Sequence, residues 1–352
     1  MNERNLELLI GSYTEGQDPE RGIFRATVTP DGTRIELRGV TSVAPNVDPT
    51  WLAASPDGRF VYAACEGEQG AMLAVAVAGS GDLTVLNAQA TGGSGTCHAA
   101  VVNGGAHVVA ADYVSGSVAV HPIAADGTLG ERSGFAQHLG SGPYVERQAG
   151  PHAHMVAEGP DGRFVHAIDL GTDTVYAYEV DAASGALIEA SRSRLRPAFG
   201  PRHLAFHPDG ELVYVIGELG FEVAVCAYDA ATGELDPLSY LPIVDGGVLG
   251  EDFPSGIRVS DDGRFLHLAV RGPDTLRTYS LGDPRKPELV SVVPTGGRWP
   301  RDIVLSPDGA LLFCSNQQSN DVTVFALDPR TGVPSATGAV LAVPAPSCVI
   351  VR

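Results

Sequence analysis

Three arginines, Arg202, Arg271 and Arg301, each carry a guanidinium that can grip a carboxylate or phosphate through paired hydrogen bonds. His154 is a candidate acid or base, because imidazole titrates near neutrality. Glu218 is either a base acting on water or the counter-ion of Arg202. Gln317 and Asn316 offer neutral hydrogen bonds, and Tyr13 adds a phenol. His152 and His98 stand close to His154 and Cys97 in the chain, as supports of a site or as loop packing. Cys97 reads as a small packing thiol sooner than as a nucleophile. Together these types suit the binding and turnover of a small anionic molecule. The plainer alternative is that the arginines only bridge structural units by pairing with Glu218 and Glu66.

What joins these residues is their position relative to a repeated turn. Ser55-Pro56-Asp57-Gly58 recurs as Gly159-Pro160-Asp161-Gly162, His207-Pro208-Asp209-Gly210, Ser260-Asp261-Asp262-Gly263 and Ser306-Pro307-Asp308-Gly309, with a degenerate copy at Val102-Asn103-Gly104-Gly105. Between first members the steps are 47, 57, 48, 53 and 46 residues. Pro followed by Asp-Gly closes a tight hairpin. Apolar runs flank each copy, such as Ile303-Val304-Leu305 before and Leu212-Val213-Tyr214-Val215-Ile216 after. A third run follows, such as Val322-Thr323-Val324-Phe325, and then a looser fourth.

Four strands at a period near 50 predict the blade of an all-β propeller. Six blades carry the turn. The seventh is split between Leu6–Tyr13 and Ser347–Val351, so the C-terminal strand is expected to complete the N-terminal blade and close the ring. The expected fold is one seven-bladed β-propeller domain over residues 1–352, with four-stranded blades.

Five residues before each turn lies the start of an innermost strand. That slot holds Thr50, Cys97, His154, Arg202, Ser255, Arg301 and, in the C-terminal strand, Ser347. Eleven residues after the turn's first member the second strand ends, at Glu66, Tyr113, Leu170, Glu218, Arg271 and Gln317, with Tyr13 in the split blade. Antiparallel neighbours bring a start and an end together. Both slots are therefore expected at one mouth of the channel. Buried charge is costly unless paired, so a charged ring there reads as a functional site.

Composition narrows the partners. The formal charge of −19 argues against nucleic acid and anionic membranes, which select basic surfaces. No apolar stretch approaches the ~18 residues of a membrane span, and the opening residues carry no signal-like apolar run. Five cysteines without a CxxC pair suggest neither a disulfide framework nor a zinc site, and a cytoplasmic location is expected. Calcium would call for oxygen ligands where arginine dominates, so no metal or other cofactor is expected. A closed propeller can stand as a monomer or a weak homo-oligomer.

Several segments resemble the lactonase family of seven-bladed propellers: Gly11-Ser12-Tyr13-Thr14, Gly200-Pro201-Arg202-His203-Leu204-Ala205-Phe206-His207-Pro208, Gly217-Glu218-Leu219, and Trp299-Pro300-Arg301 followed by Ser315-Asn316-Gln317. That family includes propeller-type 6-phosphogluconolactonases and fungal 3-carboxymuconate lactonizing enzymes. The resemblance implies a metal-independent site at the channel mouth built on His154, Arg202, Glu218 and Arg271, with Arg301 and Gln317 beside them. It implies hydrolysis of a small anionic lactone, or lactonization of an unsaturated diacid on the same site. Gln148-Ala149-Gly150-Pro151-His152-Ala153-His154, with Asp169-Leu170-Gly171 after it, looks closer to the muconate-type and uncharacterised branch than to the bacterial sugar-phosphate enzyme. A non-catalytic propeller that binds a ligand or protein is the third reading, since fold alone does not fix function.

Overall fold

The computed structural model describes residues 5–13, 22–43, 47–243, 247–248 and 251–352; Thr14 of the first family-like segment lies outside them. Among the described residues are seven four-stranded antiparallel sheets. Each of six sheets takes consecutive strands, running from Asp48–Ala54 to Leu83–Ala90 in the first and from Pro300–Leu305 to Pro334–Ala342 in the last. The seventh sheet joins Pro346–Val351 to Leu6–Ser12, Gly22–Val28 and Ile35–Ser42. Leu8 pairs with Val351, Leu9 with Ile350 and Ile10 with Val349, so the two chain ends complete one blade and leave no open edge there.

The turn chemistry accounts for the hairpins. In the first copy the Ser55 hydroxyl donates to Asp57 at 2.7 Å, and Asp57 accepts the Arg59 amide at 3.0 Å. Gly58 closes the turn at φ +68°, a left-handed conformation that favours glycine.

The core is divided rather than central. One cluster joins Leu8, Ile10 and Phe24 of the closing blade to Leu311, Phe313 and Val322 of the last. Six others repeat that pattern around the ring, each filling the gap between neighbouring sheets. Apolar side chains therefore hold blade against blade, and polar ones are left to line the middle.

Candidate active site

Each innermost strand breaks register where the sequence placed its first slot. The shift falls between Pro49 and Trp51, Thr96 and His98, Ala153 and Met155, Pro201 and His203, Pro254 and Ile257, and Pro300 and Asp302. The closing blade shows it opposite Gly11 and Ser12. A bulge leaves one residue outside the ladder and re-aims its side chain. Six of the eight skipped residues, Thr50, Cys97, His154, Arg202, Arg301 and Ser347, line one narrow cavity together with Trp51 and His203. The other two, Ser255 and Gly256, fall in the one break that skips a pair, and the Ser255 hydroxyl ties the Ala269 and Pro300 carbonyls.

Glu218 is the hub. Only 3% exposed, its Oε2 accepts Arg271 Nη2 at 2.6 Å and lies 3.2 Å from Arg202 Nε. Its Oε1 accepts Arg147 Nη2 at 2.6 Å. Burial alone would raise the carboxyl's pKa, but Arg271, Arg202 and Arg147 outweigh it and hold the group well below the usual carboxylate range. Three cations on one anion leave a surplus of positive charge in a chain of formal charge −19.

A second pair faces the same mouth. Tyr13 donates to Glu66 Oε2 at 2.8 Å, and Arg301 stands over the Tyr13 ring at 5.0 Å. Arg301 Nη2 is 3.9 Å from Glu66, so this guanidinium is held more loosely than those around Glu218. Burial keeps Tyr13 a phenol by raising its pKa.

His154 is buried, and its Nδ1 has no hydrogen-bond partner. Burial, reinforced by the Arg202 guanidinium, pushes its pKa well below 6.5, so the ring is neutral. Tyr113 and His203 meet it edge-on at 5.4 and 5.2 Å. His152 supports Tyr113 by stacking at 4.6 Å and by a 2.9 Å contact from Nδ1 to its carbonyl. His98 lies beneath, stacked on Trp51 at 3.9 Å and edge-on to His203.

Two of the candidate residues sit away from the cavity lining. Asn316 is fully buried, and its amide donates to Asp321 at 2.9 Å and Thr323 at 3.1 Å within its own blade. It is therefore committed to the sheet instead of the mouth, because it sits one residue before the slot and strand alternation turns it inward. His98 packs against Trp51 and His203, in keeping with the supporting or packing role expected of it. Gln317 follows the strand Leu311–Asn316, half-buried, with its backbone N–H donating to the Trp299 carbonyl. Cys97 keeps its proton, since burial pushes the thiol up, and it points at the Ala153 and His154 carbonyls.

Sequence reasoning missed Arg147, Trp51 and His203. Arg147 sits on the short helix Val145–Gln148, inside the connection that makes the step from Val102 to Gly159 the longest at 57 residues. That excess length was its one signal. Trp51 and His203 each follow a slot residue, which only the bulge reveals as lining positions. Among the described residues no three His, Cys, Asp or Glu side chains gather as a metal-ligand set.

Comparison with known proteins follows the same lines. The model of a family described as lactonase, 7-bladed beta-propeller, matches residues 7–351. A 6-phosphogluconolactonase of Bacillus subtilis is 33% identical over 97% of this chain and 96% of its own. The crystal structure of a Lactobacillus plantarum protein superposes with a TM-score of 0.91 at 31% identity, covering 99% of this chain and all of the other. A periplasmic gluconolactonase of Pseudomonas aeruginosa gives 0.89 at 29% identity, covering 99% of both. By sequence, by fold and over nearly its whole length, the chain belongs to the lactonase family of seven-bladed β-propellers.

Proposed function

We propose that the protein hydrolyses a small anionic lactone, of the kind named for its Bacillus relative, without help from a metal. The observation that carries this reading is the surplus of guanidinium around Glu218 beside a neutral, unpartnered His154. In this reading the arginines bind the substrate's anionic group. They also stabilise the oxyanion that forms when water adds to the lactone carbonyl. His154 takes the proton of that water and returns it to the ring oxygen as the C–O bond breaks, giving the open hydroxy acid. Glu218, whose basicity the three arginines suppress, holds them in place.

The test is a hydrolysis assay on 6-phosphogluconolactone and related lactones. Arg202→Ala and Glu218→Gln should each lower the rate about 10²–10³-fold, the usual loss when a group serving the oxyanion is removed. Wild-type rates in both variants reject the assignment. Activity only on unsaturated diacids, seen as loss of ultraviolet absorbance, would move the chemistry to lactonization. A metal-free mechanism further expects activity to survive a chelator. The reading places the protein in the cytoplasm, supported by five buried free cysteines; the Pseudomonas relative is named as periplasmic, and cell fractionation decides.

A further inference from the structure

The three arginines on Glu218 are not equivalent. Arg202 and Arg271 belong to the blade wall and expose 3% and 7% of their side chains, whereas Arg147 exposes 30%. Arg147 comes from the connection between the strands Gly134–Gln137 and Ala153–Glu158, and it reaches past the blade that Ala153–Glu158 begins to Glu218, which follows the strand Leu212–Gly217 of the next. The base of that arm is pinned: Gln148 donates to the Leu170 carbonyl and to Asp173, both at 2.8 Å. The arm itself makes one further hydrogen bond, to the Tyr113 hydroxyl at 3.2 Å.

Charge distribution separates them as well. Arg271 and Arg202 share Oε2 of Glu218, while Arg147 alone holds Oε1. Two buried guanidiniums already compensate one carboxylate. The third can leave without creating an unpaired buried charge, a condition neither wall arginine meets once its partner is gone. An anion arriving from solvent meets Arg147 first and exchanges one oxyanion partner for another at a half-open site, with little added desolvation.

We propose that Arg147 is the specificity-determining residue of this site. A phosphate or carboxylate on the substrate takes Arg147 over from Glu218 Oε1 while Arg202 and Arg271 stay where they are. The proposal rests on the lactone-hydrolase reading, and it assigns recognition of the substrate's anionic group to a residue outside the blade framework.

The test compares kcat/KM for 6-phosphogluconolactone with that for unphosphorylated gluconolactone in wild type, Arg147→Gln and Arg147→Lys. Loss of one charge-assisted hydrogen-bond partner should cut the preference for the phosphorylated lactone about 10–100-fold in Arg147→Gln. Arg147→Lys should recover part of it. An unchanged preference overturns the proposal. Unchanged circular dichroism and melting temperature in the variants separate recognition from misfolding. If wild type hydrolyses neither lactone, the hydrolase reading fails by itself, and calorimetric titration with inorganic phosphate then decides for Arg147. Weaker phosphate binding in Arg147→Gln than in wild type sustains its role as anion receptor. Equal binding, or none in wild type, ends it.

Discussion

Glu218 and the buried imidazoles respond to pH in separate windows. The carboxylate's pKa is depressed in the folded protein, so its contribution to stability is present above about pH 4.3 and is lost as pH falls from there through the folded value. The histidines act earlier. Burial, helped by nearby guanidiniums, holds His98, His154 and His203 well below 6.5, and burial alone lowers His267 to about 4. Below about pH 6.5 the unfolded chain takes up protons that these rings refuse, at about 1.4 kcal/mol per pH unit for each. Urea midpoints should therefore drop between about pH 7 and pH 5, and a flat profile would contradict the neutral assignments. Glu218→Gln tests the ion cluster directly. It leaves three guanidiniums without their anion, and a loss of about 3–5 kcal/mol is expected by denaturant titration. A change below about 1 kcal/mol would mean the arginines pair elsewhere or are solvated.

At the scale of strands, the site depends on the bulges. The closing blade shows how tight the geometry is there. A Cβ on Gly11 would lie 2.5 Å from the Pro49 carbonyl oxygen and 2.9 Å from Cys348 Sγ, at the point where the two chain ends meet and two residues before Tyr13. Gly11→Ala should therefore cost about 1–3 kcal/mol, as overpacking does; an unchanged urea midpoint would show that the closure gives way easily. Blade number, strand order and the split blade were legible because turn chemistry and alternation repeat at a fixed period. The shared rim was legible for the same reason, which is how Arg202, Glu218, Arg271 and Arg301 could be grouped from positions nearly 100 residues apart. The bulges were not, since an extra unpaired residue changes register without changing residue type. Asn316 was misplaced by one position of alternation. Arg147 was invisible because it belongs to a connection outside the repeat, and only three-dimensional proximity brings it to Glu218.

Over the whole molecule, the inter-blade clusters close a ring whose middle is left to polar groups, and the net charge of −19 surrounds a mouth where cations exceed anions. Closure is expected to be essential. Removing residues 347–352 exposes Leu6–Ser12, which carries Leu6, Leu8, Leu9 and Ile10, as an uncovered edge, so the shortened chain should aggregate or lose its cooperative melt. Size-exclusion chromatography and thermal melting check this, and a well-folded truncated protein would contradict it. The claim on which the rest depends is that one ring of guanidiniums at the channel mouth receives a small anion. Calorimetric titration of 6-phosphogluconate into the wild-type protein and into Arg271→Gln measures it most directly. One binding event per chain is expected in wild type, weakened at least about tenfold in the variant. Equal affinity in both proteins, or no binding to wild type, would contradict the account.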